Sequence, residues 1–263
     1  MLSYEQFVSE ETEMTLQSKW GRRPGIGFSL GVMLVLFTLF GTPGPADDTH
    51  PSQYRFTPKT YKGRTIAPAM SYLGADWLER AERDRLEQPD KVLETIGIPS
   101  GSTVADIGAG TGYYSLRLAK KVGPQGRVLA TDIQPEMLSR LQANMKKADL
   151  TNIETILTTP TEARLPAGQL DLALMVDVYH ELSHPEETMA QVRRALKPDG
   201  RLVVIEYRGE DPTVPIKPEH KMTLAQVRTE IEPMGFRLQQ VFDFLPRQHL
   251  IVFAPTATDT EVK

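Results

Sequence analysis

The sequence predicts an α/β fold in which helices cover both faces of a mostly parallel sheet. From about residue 75 onward, short apolar segments alternate with amphipathic helical segments, and the apolar segments are near-continuous, as in strands buried on both faces. Five such strands are followed by two segments, 236–244 and 249–254, joined by a short turn at Pro246. The final pair is therefore expected to be antiparallel, unlike a six-stranded, all-parallel dinucleotide-binding fold.

The individual elements follow from periodicity and from their end signals. Pro135 stands at a favourable first-turn position, and Thr223 is a suitable N-cap. Apolar periodicity predicts helices at 75–86, 89–96, 111–122, 135–147, 185–196 and 223–234. Apolar runs predict strands at 103–107, 127–131, 153–157, 170–176, 201–207, 236–244 and 249–254, with a turn at Pro198-Asp199-Gly200 before the fifth strand.

The N-terminal region contains an uncharged apolar segment. No residue from Pro24 to Ala46 is charged, and 26–40 is strongly apolar. The segment has the length of a signal-peptide core or of a short membrane-spanning helix. Basic residues precede it and acidic residues follow it, which predicts an inside N-terminus and an exported C-terminal part. The protein is therefore expected to be membrane-associated or exported to the periplasm, with the cytoplasmic face of the membrane as the alternative.

These features predict four parts of the chain. Prolines recur between residue 42 and residue 68 with few apolar residues, which indicates a linker. The predicted parts are a leader at 1–24, a signal-peptide or transmembrane segment at 25–41, a Pro-rich linker at 42–68 and the α/β domain at 69–263.

The composition excludes several classes of function. The formal net charge is −4, which gives no electrostatic basis for nucleic acid as the main partner. There are no cysteines, so disulfides, thiolate metal sites and cysteine nucleophiles are excluded. The oligomeric state is not determined by the sequence.

A glycine-rich stretch, VADIGAGTGYYS, follows the first predicted strand. Gly108, Gly110 and Gly112 lie between that strand and a helix, where bare backbone N–H groups permit close approach of a ligand. Asp106 stands two residues before the first glycine, where a carboxylate would repel a pyrophosphate and would suit an amine-bearing ligand. The G-x-G-x-G spacing also differs from the dinucleotide pattern G-x-G-x-x-G.

A second carboxylate ends the next predicted strand. Asp132 follows Gly112 by twenty residues, and a carboxylate at this place can accept both hydroxyls of a ribose. The alternative is a helix N-cap before Gln134 and Pro135. Together with the glycine loop, the ribose interpretation is favoured.

Four segments in order carry a resemblance to a known family. They are DIGAGTG, ATDIQPEML, DLALMVDVYHEL and LKPDGRLVVIEY. This set resembles class I S-adenosylmethionine-dependent methyltransferases over roughly residues 70–254. The resemblance implies a Rossmann-like three-layer fold with a seven-stranded, mostly parallel sheet and an antiparallel last strand. It also implies S-adenosyl-L-methionine as the cofactor and methyl transfer to a small-molecule acceptor.

The resemblance also implies roles for particular residues. Asp106 and the loop would hold the methionine end of the cofactor, and Asp132 the ribose, with Ile133 against the adenine. The family's acid for the adenine is missing, because Thr158-Thr159-Pro160 stands in its place; Thr159, Thr161 or Glu162 can substitute. The implied cofactor-binding residues are Asp106, Gly108, Ala109, Gly110, Gly112, Asp132, Ile133, Thr159 and Asp177.

Candidate catalytic residues follow the fourth predicted strand. Tyr179 and His180 stand where ligands bind in open α/β sheets, and His180 is the natural candidate for a base. The equal alternative is that His180 only fixes its loop by a hydrogen bond. The long polar loop 206–222, which includes His220, is expected to form an acceptor lid. The membrane-proximal segment favours a hydrophobic acceptor, such as a quinone-like or lipid precursor.

Three other classes of protein share parts of this pattern. The run HELSH from His180 to His184 matches the zinc-protease pattern, but that pattern requires a helix, and Pro185 disfavours helical geometry at His184. No metal is therefore expected. The Asp106 placement and the terminal hairpin argue against a nicotinamide oxidoreductase. A catalytically inactive cofactor-fold binding protein of the cell envelope stays open as the alternative.

Overall fold

The computed structural model describes residues 59–256. The predicted leader, the predicted signal-peptide or transmembrane segment and most of the predicted linker lie outside the described residues. Among the helices of the described part, none combines the length and the apolar character that crossing a membrane requires.

A seven-stranded sheet forms the centre of the described part. The strands, with the two strands of a small hairpin first, are β1 Thr60–Tyr61, β2 Arg64–Thr65, β3 Thr103–Ile107, β4 Arg127–Asp132, β5 Ile153–Leu157, β6 Leu170–Val176, β7 Leu196–Tyr207, β8 Phe236–Phe242 and β9 Gln248–Pro255. The order across the large sheet is β5-β4-β3-β6-β7-β9-β8. The first five strands in this order pair in parallel, and β9 is antiparallel to both of its neighbours. The predicted fold class is therefore confirmed.

Helices cover both faces of this sheet. They are α1 Ala75–Leu78, α2 Arg83–Glu87, α3 Pro89–Ile96, α4 Tyr113–Val122, α5 Pro135–Lys147, α6 Pro185–Ala195 and α7 Leu224–Ile231. One hydrophobic cluster joins α3, α4 and α5 to the sheet, and a second joins α6 and α7 to it. Short 3-10 turns lie at Tyr72–Gly74, Tyr179–Glu181, Pro218–His220 and Glu232–Met234.

The local sequence explains why these helices form where they do. In α4, Tyr114, Leu118 and Val122 recur at intervals of four residues and are buried on one face. Proline stands in the first turn of α3, α5 and α6, where its missing N–H costs nothing. Thr223 caps α7 by accepting a hydrogen bond from the Gln226 N–H, as its residue type predicts.

Some predicted boundaries were wrong. The helix predicted at 75–86 is two helices, α1 and α2, separated by 79–82. The predicted turn Pro198-Asp199-Gly200 lies inside β7. Strand β7 pairs with β6 at Leu196 and again at Arg201, and the residues between them form an irregularity in the pairing. A bulge of this kind tolerates proline and glycine within a strand, so turn residues did not end the strand here.

A small hairpin precedes the helices. Strands β1 and β2 are joined by Lys62 and Gly63, which both have positive φ, as a tight two-residue hairpin turn requires. The Arg64 guanidinium makes two bonds to the buried Glu230 carboxylate of α7, at 2.7 and 3.0 Å. The hairpin lies in the stretch predicted as linker, whose boundary near residue 68 stays a prediction.

Candidate functional site

The candidate site lies at the carboxyl ends of three neighbouring strands. Strand β3 lies between β4 and β6, so the order of the sheet reverses beside it. Ligands of open α/β sheets bind outside the strand ends at such a point. Asp106 is the fourth residue of β3, Asp132 ends β4, and Asp177 directly follows β6.

The glycine loop is fastened to β4. The Gly110 N–H donates to the Asp132 carboxylate at 2.9 Å, and the Ala109 N–H donates to the Thr131 carbonyl at 2.8 Å. Gly108 and Gly112 have φ values of +71° and +91°, which side chains rarely adopt. The bare backbone that the sequence indicated is thus required by the turn from β3 into α4.

Close packing adds a second reason for glycine in this loop. A Cβ on Gly108 would lie 2.5 Å from Val178 Cγ2, and one on Gly112 would lie 2.8 Å from Leu141 Cγ. A Cβ on Gly110 would meet Leu78 Cδ1 of α1 at 2.9 Å. Side chains from α1, from α5 and from the chain after β6 therefore surround the loop.

Asp132 positions both the loop and the start of α5. One carboxylate oxygen accepts the Gly110 N–H, and the other accepts the Gln134 N–H at 2.9 Å. Burial raises the pKa of Asp132, and the hydrogen bonds from these backbone amides oppose the rise. Each carboxylate oxygen can accept a second hydrogen bond, so the group can also receive ribose hydroxyls. The adjacent Ile133 is 44% exposed and therefore accessible to an adenine.

Asp106 is a buried carboxylate beside the loop. It is 3% exposed and accepts a hydrogen bond from the Ser115 hydroxyl of α4 at 2.6 Å. Burial raises the pKa of Asp106 to about 6, although the Ser115 hydrogen bond and the Arg83 charge act in the opposite sense. A carboxylate with this pKa is mainly ionised at neutral pH and can attract an ammonium group.

Asp177 has an unusual environment for a carboxylate. Its φ is +54°, one oxygen accepts the Gln248 side-chain N–H at 2.8 Å, and the other is buried. That second oxygen and the buried Tyr114 hydroxyl have no hydrogen-bond partner among residues 59–256. Burial raises the pKa of Asp177 well above its ordinary value, and the nearby Glu87 charge adds to the rise. Unpaired buried polar groups are rare, and a polar ligand would satisfy them.

Thr159 occupies a tight turn just beyond β5. Its hydroxyl accepts the Glu162 N–H at 3.1 Å and lies 3.5 Å from the Thr161 hydroxyl. The hydroxyl is thus used within the turn, and its contact with an adenine stays a prediction.

His180 lies in a buried network of three titratable groups. Its Nδ1 is 2.6 Å from Glu206 Oε2, and its Nε2 is 3.1 Å from His220 Nδ1. Both ring nitrogens are therefore engaged, which is what a loop-fixing role requires. Burial alone would lower the pKa of His180, but the charge and hydrogen bond of Glu206 raise it to about 9. Burial and the His180 charge lower the pKa of His220 to about 4.

Glu181 connects this network to Asp132. The Met70 backbone lowers the pKa of Glu181, and the Met70 carbonyl accepts the Gln134 side-chain N–H at 2.8 Å. The Gln134 backbone in turn bonds to Asp132. Burial raises the pKa of Glu181 to about 7, and the His180 charge opposes the rise. The histidine network therefore borders the site of the three aspartates.

The structure does not bring Tyr179 into this network. Its side chain is fully buried in a hydrophobic cluster, with the Arg64 guanidinium 5.7 Å from its ring centre. The HELSH run is not a helix either, because a 3-10 turn ends at Glu181 and α6 begins at Pro185. His184 pairs instead with the Ser183 hydroxyl at 3.0 Å.

Two members of the network had no local signal in the sequence. Glu206 and His220 lie 26 and 40 positions after His180, and only the pairing of β6 with β7 and the fold of the following loop bring them to it. His220 was expected within a lid, but its proximity to His180 was not. The one available signal in the sequence was the position of Glu206, an acidic residue at the end of an apolar run.

Known proteins resemble the part of the chain that forms this site. Residues 104–200 match the model of a methyltransferase domain. The ubiquinone/menaquinone biosynthesis C-methyltransferase UbiE of Pseudomonas fluorescens (strain SBW25) is 31% identical over 116 residues, which are 44% of this chain and 45% of that protein. The UbiE of Pseudomonas entomophila (strain L48) is 30% identical over the same lengths. The chain thus spans less than half the length of these curated relatives.

Solved structures share the fold. A SAM-dependent methyltransferase from Aquifex aeolicus is 28% identical, with a TM-score of 0.68 over 72% of this chain and 100% of that one. A TehB-like SAM-dependent methyltransferase from Corynebacterium glutamicum shares the fold, with 17% identity and a TM-score of 0.53 over 71% of this chain and 100% of that one. These findings support the class I S-adenosylmethionine-dependent methyltransferases as the class of the domain. They imply S-adenosylmethionine as the cofactor.

The described side chains fit this cofactor. Asp106 offers a carboxylate for an ammonium group, Asp132 offers acceptors for sugar hydroxyls, and Ile133 offers an exposed apolar surface for a base. The unpartnered oxygen of Asp177 is a further acceptor. The set contains the acceptors that a positively charged nucleoside amino acid needs.

Proposed function

We propose that the protein transfers a methyl group from S-adenosylmethionine to a small-molecule acceptor. The observation that carries the proposal is the hydrogen bond between Gly110 and Asp132, because it joins the glycine loop and the sugar-binding carboxylate in one site beside Asp106. When bound, S-adenosylmethionine supplies a methyl group that its sulfonium has already activated. The protein then has to align the reactants and exclude water.

Each residue has a defined part in this proposal. Asp106 and the loop bind the methionine end, Asp132 binds the ribose, and Ile133 contacts the adenine. Val178 and Leu78, which pack against the loop glycines, exclude water from the glycine loop. Where the acceptor atom carries a proton, the His180 network, which borders the site, is the candidate to accept it.

We infer that the acceptor is hydrophobic. Leu157, Tyr72 and Leu73 are large apolar residues that are at least one-third exposed. Leu157 pairs with Asp132 across the sheet, and the Tyr72 N–H bonds to Gln134, so these residues form an apolar rim around Asp132. The names of the Pseudomonas relatives refer to ubiquinone and menaquinone biosynthesis, which supports a quinone-like acceptor.

The location of the protein is also a proposal. The apolar segment predicted at 25–41 and its charge asymmetry support a membrane-associated protein, or one exported to the periplasm. The alternative is a domain held at the cytoplasmic face of the membrane, where S-adenosylmethionine is made.

Calorimetry tests the proposed function. The native protein should bind S-adenosylmethionine and S-adenosylhomocysteine, one molecule per chain. Asp132→Asn should weaken both about 10- to 100-fold, because a hydrogen bond to a charged group contributes about 1.5–3 kcal/mol. Asp243→Asn, which changes an exposed aspartate paired with Arg208, is the control and should bind normally.

A second measurement extends this test to the acceptor. The native protein should methylate reduced quinones that lack a ring methyl group. The Asp132→Asn variant should lose this activity. Thermal unfolding of both variants establishes that they are folded. The proposal would be refuted if the native protein bound neither S-adenosylmethionine nor S-adenosylhomocysteine.

A further inference from the structure

We propose that His180, Glu181 and His220 bind one divalent transition-metal ion of the zinc type. The inference goes beyond methyl transfer, because neither the cofactor nor the proposed reaction requires a metal. These three residues each offer one ligand atom to a common centre. His180 and Glu181 come from the 3-10 turn after β6, and His220 comes from the loop after β7.

The separations of the three ligand atoms match a metal site. His180 Nε2 lies 3.1 Å from His220 Nδ1 and 3.8 Å from Glu181 Oε1, and His220 Nδ1 lies 3.7 Å from Glu181 Oε1. In a tetrahedral zinc site with bonds of about 2.0–2.1 Å, neighbouring ligand atoms lie about 3.3 Å apart. The triangle therefore accommodates one ion at about 2 Å from each atom, the usual length of bonds from zinc to nitrogen and carboxylate oxygen.

A buried hydrogen bond orients one of these ligands. Glu206, which is fully buried, contacts His180 Nδ1 at 2.6 Å and so leaves Nε2 facing His220. A carboxylate on the distal nitrogen of a histidine ligand is the usual support of a metal site, since it sets the tautomer and the ring orientation. His180 is therefore held in place by a group outside the triangle.

The surrounding charge also favours a cation. The carboxylates of Glu206, Glu181 and Asp177 all lie within electrostatic range of His180. Burying several carboxylates together is unfavourable unless positive charge compensates them. A divalent ion held by His180, Glu181 and His220 would supply such charge beside them.

The ligand set indicates the kind of ion. Two imidazoles and one carboxylate without thiolates suit zinc and its neighbours in the first transition series. Three protein ligands leave a coordination position open, as in catalytic zinc sites, and an oxygen of the acceptor or water can occupy it. The site is not that of the protease pattern, because the second histidine of HELSH, His184, pairs with Ser183 and lies outside the triangle.

Metal binding to the purified full chain tests the inference. The protein, without an affinity tag that binds metal, is stripped with a chelator and titrated with Zn²⁺ against a chromophoric competitor. It is titrated separately with Co²⁺, whose visible absorption reports coordination by nitrogen and oxygen. The native chain should bind one ion of either metal, as measured with the competitor for Zn²⁺ and by visible absorption for Co²⁺.

Variants assign the ion to these residues. His220→Ala and Glu181→Gln should each lower the affinity at least 100-fold, and Glu206→Gln should lower it about 10- to 100-fold, the usual effect of losing such a supporting group. His184→Ala is the matched control and should bind as the native chain does. Circular dichroism identifies any variant that fails to fold. If His220→Ala fails to fold, Glu181→Gln still tests the site, because it changes a partly exposed side chain.

Several outcomes would overturn the inference. They are a native chain that binds neither metal, an affinity of His220→Ala and Glu181→Gln that equals that of the native chain, or a loss in His184→Ala as large as in His220→Ala. The same contacts would then form a metal-free hydrogen-bond network between two histidines. A chain that binds S-adenosylhomocysteine but no metal would leave the proposed methyl transfer intact.

Discussion

At the scale of single residues, identical side chains behave differently because their surroundings differ. Asp106 is buried against Ser115, Asp132 accepts two backbone amides, and Asp177 keeps one buried oxygen without a partner among the described residues. The carboxylate chemistry of each was evident in the sequence, since each stands at or next to the end of a predicted strand. The hydrogen-bond partners of each carboxylate were not evident, because they come from other elements.

Asp106 should make cofactor binding depend on pH. Burial raises the pKa of Asp106 to about 6, so the carboxyl group is neutral below that pH and cannot attract an ammonium. Affinity for S-adenosylhomocysteine should therefore rise with pH up to about pH 6, by as much as tenfold per unit, and then level off. Ser115, Arg83 and Asp132 are the groups that face Asp106 and influence its pKa.

Calorimetry across this pH range measures the effect. Asp106→Asn should bind weakly at every pH and show a flat profile, which separates Asp106 from the other titrating groups of the site. The same carboxyl group stabilises the fold below its ordinary pKa of 3.8, and this contribution is lost as the pH rises through about 6. An affinity that is independent of pH in the native protein would contradict this assignment.

At the scale of elements, the loop between β3 and α4 is the most predictable feature. Its glycines follow from the turn, and the strand and helix beside it follow from their apolar periodicity. The residues that surround the loop were not predicted, because Leu78, Val178 and Leu141 belong to elements that are distant along the chain. The tertiary structure alone shows how tightly the loop is packed.

Gly112→Ala should be more destabilising than Gly101→Ala. Both glycines have positive φ, so alanine costs about 1–2 kcal/mol of backbone strain at either position. At Gly112 the new methyl group also lies 2.8 Å from Leu141 in the core, whereas at Gly101 nothing lies within 4 Å. Overpacking adds about 1–3 kcal/mol to the loss at Gly112.

Urea-induced unfolding of the two variants measures the difference in the free energy of unfolding. Gly101→Ala controls for the strain of the left-handed backbone without the clash. Equal losses in the two variants would contradict close packing of Leu141 against Gly112.

At the scale of the whole molecule, the hairpin of β1 and β2 approaches the site. Arg64 of the hairpin binds the buried Glu230 of α7 and also donates to the His180 carbonyl at 2.8 Å. The hairpin therefore contacts the turn that carries His180 and Glu181. Removing one partner of a buried ion pair commonly costs about 3–5 kcal/mol, so this contact contributes to holding the turn in place.

The side of the membrane on which the domain lies can be measured on the full chain. The basic residues before the apolar segment predict that a C-terminal reporter active only after export will be active. Replacing Lys19, Arg22 and Arg23 with glutamine should reduce that activity, while replacing the same number of lysines within the α/β domain should not. Activity from a cytoplasmic reporter alone would instead place the domain on the cytoplasmic face.

The sequence by itself determined the elements and the class of fold. Helix α5 and strands β3, β5 and β6 have the predicted bounds, because a repeated apolar pattern and a proline or glycine at an end act locally. Where long-range pairing overrode local preference, the prediction was wrong, as in β7, whose turn residues form an irregularity within the strand.

The tertiary structure alone decided which side chains meet. Asp106, Asp132 and the glycines could be assigned from the sequence because their spacing is set by one strand, one loop and one helix. The network of His180, Glu206 and His220 could not, because its members are distant along the chain and meet only once β6 and β7 have paired. Local patterns specify elements, whereas contacts across a sheet depend on which strands lie next to one another.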